Sequence, residues 1–246
     1  MKEQTLSDHL KELKIRLIYC LAALLLAFAL SYNFSSQIYN FLTQPLIASF
    51  ENPLDQRIIY TNLTEAFFTY LKLSFLAAFF FTFPFIALQF YLFLAPALYK
   101  KEKKFTLNII FFCPLLFILG SVMLYEIVLP LAFKFFISFQ NLNPPEALPV
   151  ELETKISEYL SLVTKMLFAF GFAFQMPIIL ICLVKFGVLS LESLKKKRKY
   201  WIVAIFTIAA IITPPDLISQ ITLALPMILL YEISIIILGF SHKKPS

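Results

Sequence analysis

Apolar runs that approach or exceed membrane-spanning length recur from about residue 17 to residue 240, and this property decides the class of the chain. A helix needs about 20 mostly apolar residues to cross the roughly 30 Å of bilayer hydrocarbon. Without water to satisfy the backbone there, such a segment must bond its own N–H and C=O groups. The chain therefore predicts an all-α integral membrane protein, a single polytopic domain over residues 1–246. Its 60% hydrophobic content lies well above the share in an ordinary globular domain. Only 4 glycines and 14 prolines leave no room for flexible linkers between separate domains.

Apolar windows bounded by turn and charge signals give six transmembrane helices, at residues 17–34, 66–95, 105–129, 159–186, 200–213 and 217–240. The first could pass for a secretory signal, because basic residues precede it. No small-x-small cleavage site follows, and the run is long for a signal core, so it is expected to be a retained span. Asn62-Leu63-Thr64-Glu65 supplies an N-cap and a capping acid before the second. Six spans put both termini on one side. Sixteen of the twenty-one Lys and Arg residues lie before span one, between two and three, between four and five, or after six. By the positive-inside rule both termini are expected in the cytoplasm. The net charge of +6 is thus a topology signal, and no nucleic acid partner is implied. Two loops, 35–65 and 130–158, form caps on the opposite, periplasmic side. The first carries apolar residues that suit an interfacial amphipathic helix. In the second, Pro144-Pro145 and Pro149 impose a rigid turn.

Spans five and six are short. Residues 200–213 reach only about 21 Å as a helix before Pro214-Pro215-Asp216 ends it. The sixth is interrupted by Gln220, Pro226 and Glu232. Either the bilayer thins around this pair and partner helices shield it, or the fifth helix is extended by its cytoplasmic flank and tilts less. Thr213, Asp216 and Gln220 concentrate polar groups at the shared outer end.

Motifs for catalysis are missing. The glycines at 120, 171, 187 and 239 cannot form a phosphate-binding loop, and His9 and His242 cannot form a zinc helix. No nucleophile elbow is present, so the chain is not expected to be an enzyme or to hold a metal or cofactor. Cys20, Cys113 and Cys182 all lie in apolar segments without metal-ligand spacing and read as packed thiols. Polar groups within the spans are then the candidate sites. Gln175 sits near the middle of span four, two residues before Pro177, and either serves a function or satisfies the backbone opened by that proline. Lys72 and Lys165 can snorkel to the outer face. Glu126 either pairs with one of them or is wetted.

Two acids stand among cations. Glu102 lies within Lys100-Lys101-Glu102-Lys103-Lys104, and Glu12 within Lys11-Glu12-Leu13-Lys14-Ile15-Arg16. Lysines alone would hold these segments in the cytoplasm, so topology does not explain the carboxylates. For Glu12 the plain alternative is an exposed i,i+4 pair with Arg16, worth about 0.3–0.5 kcal/mol. For Glu102 it is solvation among lysines.

Five ordered motifs extend from residue 9 to about 240: His9-Leu10-x-Glu12-Leu13-x-x-Arg16-Leu17, Phe93-Leu94-Ala95-Pro96-Ala97-Leu98-Tyr99-Lys100-x-Glu102, Phe170-Gly171-x-x-Phe174-x-x-Pro177, Thr213-Pro214-Pro215-Asp216-x-x-Ser219-Gln220 and Pro226-x-x-x-Leu230-Tyr231-Glu232. Together they resemble TatC, the polytopic subunit of the bacterial inner-membrane twin-arginine translocase. That resemblance implies a subunit that recognises twin-arginine signal peptides and exports folded proteins using the proton-motive force. It implies that Glu12 and Glu102 receive the arginine pair, with Phe93 as a wall of the site. An arginine fork can be accepted bidentately by a carboxylate, whereas lysine offers a point charge. The resemblance also implies an oligomeric complex with single-span TatA- and TatB-type subunits, contacted through Thr213 and Gln220.

The chain departs from the family at two positions: Lys14 stands where arginine is usual, and Gln175 where glutamate is common. A neutral amide cannot carry a proton, but it can hydrogen-bond a partner helix or an inserted signal peptide. The competing reading is an ion-coupled small-solute transporter. That reading calls for matched broken helices and internal repetition between halves, which the sequence does not display.

Overall fold

The computed structural model describes residues 6–50, 58–94, 103–140, 152–185, 187–213 and 217–242. Five helical stretches among them are long and apolar enough to cross a membrane: Leu10–Asn33, Glu65–Phe90, Phe111–Ile137, Ile156–Lys185 and Ser219–Phe240. Contacts divide the chain into two compact units, Met1–Leu42 with Tyr60–Leu115, and Thr43–Ile59 with Leu116–Ser246.

In the first unit α1 (Leu6–Asn33) packs along α3 (Glu65–Leu94). Helix α1 begins before the apolar run, so the basic segment that carries Glu12 is helical and continuous with the span. Phe28 meets Phe75 edge-on at 6.3 Å between ring centroids. Much of α1 remains uncovered, with Leu26 69% and Leu30 64% exposed, a surface suited to lipid. Helix α3 opens where its capping acid predicts: Glu65 Oε2 accepts the Thr61 N–H at 2.8 Å and the Asn62 N–H at 3.3 Å. Its hydroxyls bond back into the helix, Ser74 to the Tyr70 carbonyl and Thr82 to that of Ala78, which removes unpaired polar groups from an apolar setting. Helix α2 (Ser35–Ile47) lies in the first predicted cap, with Leu42 and Leu46 buried and Phe41 exposed.

Helix α4 (Lys103–Met123) starts in the first unit and continues into the second. There it passes through a π turn, Leu124–Val128, into α5 (Leu129–Ile137). The third helical stretch thus extends eight residues beyond its predicted end at 129. Pro130, the first residue of the predicted cap, lies inside the helix, where the Leu129 N–H donates five residues back, to Leu124 O. This wider turn accommodates the missing proline donor without ending the helix. Glu126 is exposed on the turn and makes no salt bridge among the described residues.

The fourth stretch is two helices, α6 (Ile156–Ala173) and α7 (Met176–Lys185), parted at Phe174 and Gln175. A crossing of α4 and α6 is built on glycines. A Cβ at Gly120 would lie 2.7 Å from the Phe170 carbonyl oxygen, and one at Gly171 would collide with the Phe117 ring. Lys165 is exposed, as snorkelling requires. Short α8 (Leu191–Lys196) bends at Lys197 into α9 (Arg198–Ile212), which packs on α10 (Leu217–His242). At 15 residues α9 spans about 22 Å, while α10 continues through Pro226 unbroken. The two predicted caps also meet. Strands β1 (Ile58–Ile59) and β2 (Thr154–Lys155) pair in parallel, with Ile58 opposite Thr154.

Candidate functional site

Glu12 lies in the second turn of α1, one turn before Arg16. The Arg16 guanidinium donates from Nε at 3.0 Å and from Nη2 at 2.5 Å, both to Glu12 Oε1. Its Nη1 donates to Gln89 Oε1 on α3 at 3.2 Å. Both partners are about three-quarters buried, with side chains 22% and 27% exposed. The ion-pair alternative for Glu12 is therefore real, but it engages one oxygen: Oε2 makes no hydrogen bond among the described residues. Lys11, Glu12, Ile15, Arg16 and Tyr19 line a groove of about 400 Å³.

The tether to Gln89 fixes which part of α3 lies beside Glu12. Phe93 is four residues beyond Gln89 on the last turn of α3, so the two share a helix face, and Phe93 is half-buried. Glu102 lies outside the described residues, in the connection from Leu94 to Lys103.

Gln175 is buried at the break between α6 and α7. Its backbone N–H bonds the Phe172 carbonyl at 2.9 Å, three residues back. The side chain takes the Gly171 carbonyl instead, Nε2 donating at 3.4 Å. Local repair of the kink is thus part of what this amide does. Thr213 caps α9, its buried hydroxyl donating to the Ala209 carbonyl at 2.9 Å. Gln220 Nε2 donates to the Phe206 carbonyl at 3.3 Å, linking α10 to α9. Both side chains serve this helical pair. Ile211 and Leu217 flank them, 78% and 73% exposed.

A third polar cluster joins α8, α9 and α10. Fully buried Tyr231 donates its hydroxyl to the Leu194 carbonyl at 2.8 Å and stacks on Trp201 at 5.8 Å between ring centroids. Arg198 bonds Glu232 at 2.9 Å.

The sequence matches the TatC family, described as Sec-independent protein translocase protein, over residues 8–226. The chain belongs to the TatC family. Among its relatives, the TatC of Rickettsia prowazekii is 48% identical over 240 residues, covering 98% of this chain and 94% of that protein. The TatC of Escherichia coli K12 is 37% identical over 241 residues, covering 98% and 90% respectively. A crystal structure of the twin arginine translocase receptor TatC superposes with a TM-score of 0.76 at 38% identity, covering 93% of this chain and 98% of that one. This TatC-family chain is therefore a multi-pass membrane protein.

Two polar contacts in this TatC-family member, made by Gln89 and by Glu232, have little signal in the sequence. Gln89 is a lone amide in the apolar second half of α3, four residues from Phe93, and that spacing was the available signal. Glu232 is legible as an interruption of the last span and as the end of the Pro226-x-x-x-Leu230-Tyr231-Glu232 motif, but not as a partner of Arg198. The ion pair that explains it spans 34 positions and has no local signature.

Proposed function

We propose that this chain is the signal-peptide-binding core subunit of a twin-arginine translocase in a bacterial inner membrane, exporting folded proteins with the proton-motive force. In this reading α9 is a sixth span and both termini are cytoplasmic, as the lysine distribution favours. Glu12 and Glu102 each accept one arginine of the signal peptide, and Phe93 forms a wall beside them. The observation that carries the reading is the division of labour at Glu12. Arg16 holds Oε1 and is itself held by Gln89, which leaves Oε2 oriented and able to accept an incoming guanidinium. The same tether brings the Glu12 end of α1 beside the end of α3 that leads toward Glu102. A charge-assisted hydrogen bond of this type is worth about 1.5–3 kcal/mol, so two carboxylates discriminate strongly for paired arginines.

TatA- and TatB-type single-span subunits pack at the outer end of α9 and α10 in an oligomeric complex. Exposed Ile211 and Leu217 supply the apolar contact, and Thr213 and Gln220 act from behind it by holding the end of α9 to its own backbone and α10 to α9. Gln175 acts in the membrane as a hydrogen-bonding group and not as a proton carrier.

Photocrosslinking of a twin-arginine signal peptide to purified protein tests the receptor assignment. Capture should collapse in a Glu12→Gln, Glu102→Gln double variant that retains its thermal midpoint. Undiminished capture would remove these carboxylates from the site.

A further inference from the structure

The turn that connects α8 to α9 carries more charge than its own fastening uses. Arg198 is engaged by Glu232, whereas Lys195, Lys196 and Lys197 are exposed and make no salt bridge among the described residues. Lys199 is also exposed, its Nζ 5.2 Å from the centroid of the Tyr200 ring. The backbone beneath these lysines is held at several points. Ser190 Oγ accepts the Ser193 N–H at 3.1 Å. Leu194 is 1% exposed, and its carbonyl is bonded by Tyr231. The four ammonium groups are therefore presented from a fixed turn rather than a loose loop.

We propose that this fastened lysine turn is a binding site for the phosphate groups of anionic phospholipids. Its level in the membrane is marked by Tyr200 and Trp201, since such aromatics gather at the membrane–water interface. Tyr200, Val203 and Thr207 follow along α9 as an exposed stripe at helical spacing, directly continuous with the lysines. A ligand that suits both parts is an amphiphile, with phosphate against the ammonium groups and acyl chain along the stripe. An acidic soluble protein would match only the lysines. Each lysine near an anionic bilayer surface contributes roughly a five-fold preference, so even one engaged headgroup gives a measurable selectivity.

Trp201 is the one tryptophan in the sequence, so intrinsic fluorescence reports directly on this turn. The full-length protein is reconstituted in phosphatidylcholine vesicles containing roughly one-quarter phosphatidylglycerol, with bromine on the acyl chains of one lipid or the other. Brominated phosphatidylglycerol should quench Trp201 as though enriched about five-fold over its bulk fraction. The enrichment should fall to unity in a Lys195→Gln, Lys196→Gln, Lys197→Gln, Lys199→Gln variant whose emission maximum in phosphatidylcholine matches wild type. Equal quenching by both lipids in the wild type, or an enrichment that survives in that variant, would overturn the proposal. If the variant does not fold, the wild type decides: enrichment must decline as salt rises toward about 1 M, and a salt-insensitive preference refutes it. Equal quenching together with an emission shift on adding a polyglutamate peptide would assign the turn to an acidic protein instead.

Discussion

Among the described residues the Gln89 side chain is hydrogen-bonded to the proposed receptor through Arg16, which makes Gln89→Leu a sharp test of whether Glu12 must be positioned. Leucine keeps most of the volume and removes one hydrogen bond, from Arg16 Nη1 at 3.2 Å. A bond to a charged group is worth about 1.5–3 kcal/mol when well made and dry. The contact is long and Arg16 is 22% exposed, so about 1 kcal/mol is the reasonable share. That loss should weaken capture of a twin-arginine peptide about five-fold. Arg16→Lys conserves charge but loses the fork, and with it the joint hold on Glu12 and Gln89. Its expected cost is roughly ten-fold in peptide affinity, about 1.4 kcal/mol. The decisive measurement is the double variant. If Gln89 acts through Arg16, then Arg16→Lys with Gln89→Leu binds no more weakly than Arg16→Lys alone, a coupling that a double-mutant cycle reads directly. Titrating a fluorescent signal peptide into detergent-solubilised protein supplies the four dissociation constants. Additive losses, or unimpaired binding in both single variants, would refute the positioning argument while leaving the Glu12 assignment to its own test.

Gly120→Val should lower the thermal midpoint in detergent by an amount corresponding to about 1–3 kcal/mol, because its Cβ would press on the Phe170 carbonyl and the Phe174 ring. Gln175→Glu should preserve export of a twin-arginine substrate in cells lacking their own TatC, since a protonated acid can still donate to the Gly171 carbonyl; complete loss at normal protein levels contradicts this. Gln175→Leu should be less stable than Gln175→Glu by about 1–3 kcal/mol, because that carbonyl loses its side-chain donor, and a melting comparison of the two checks the order. Tyr231→Phe leaves the buried Leu194 carbonyl without its donor, and should cost a similar amount and shift Trp201 emission as α8 loosens.

What could be read from sequence was whatever local chemistry enforces. Glu65 announces the start of α3 because a capping acid acts within one turn, and its carboxylate indeed takes the Thr61 and Asn62 N–H groups. Pro214-Pro215-Asp216 predicts a break between a span ending at 213 and one starting at 217, and α9 ends at Ile212 while α10 starts at Leu217. The failures arise where one local rule is overridden by another or where the partner is distant. Pro130 would stop an α-helix, but a π turn absorbs it and α5 continues to Ile137. Strands of two residues, Ile58–Ile59 and Thr154–Lys155, are too short to display any period.

Glu12 illustrates the more consequential failure. Along the chain it stands alone among cations, which frames its receptor role and its pairing with Arg16 as rivals. On a helix the cations at 11, 14 and 16 point in different directions, and only Arg16 lies one turn above the acid. A carboxylate has two oxygens and about four acceptor positions, so an arginine bonding Oε1 from two nitrogens does not exhaust it. Were the pair merely an exposed i,i+4 contact, a lysine at 16 would serve nearly as well and Gln89 would have no part in it. The guanidinium at 16 instead reaches two helices at once, which lysine, with one compact charge, cannot do with the same geometry. Arginine is therefore required at position 16 to the extent that Glu12 must be held at a set angle, and a carboxylate held at a set angle is what the planar fork of an incoming arginine can recognise.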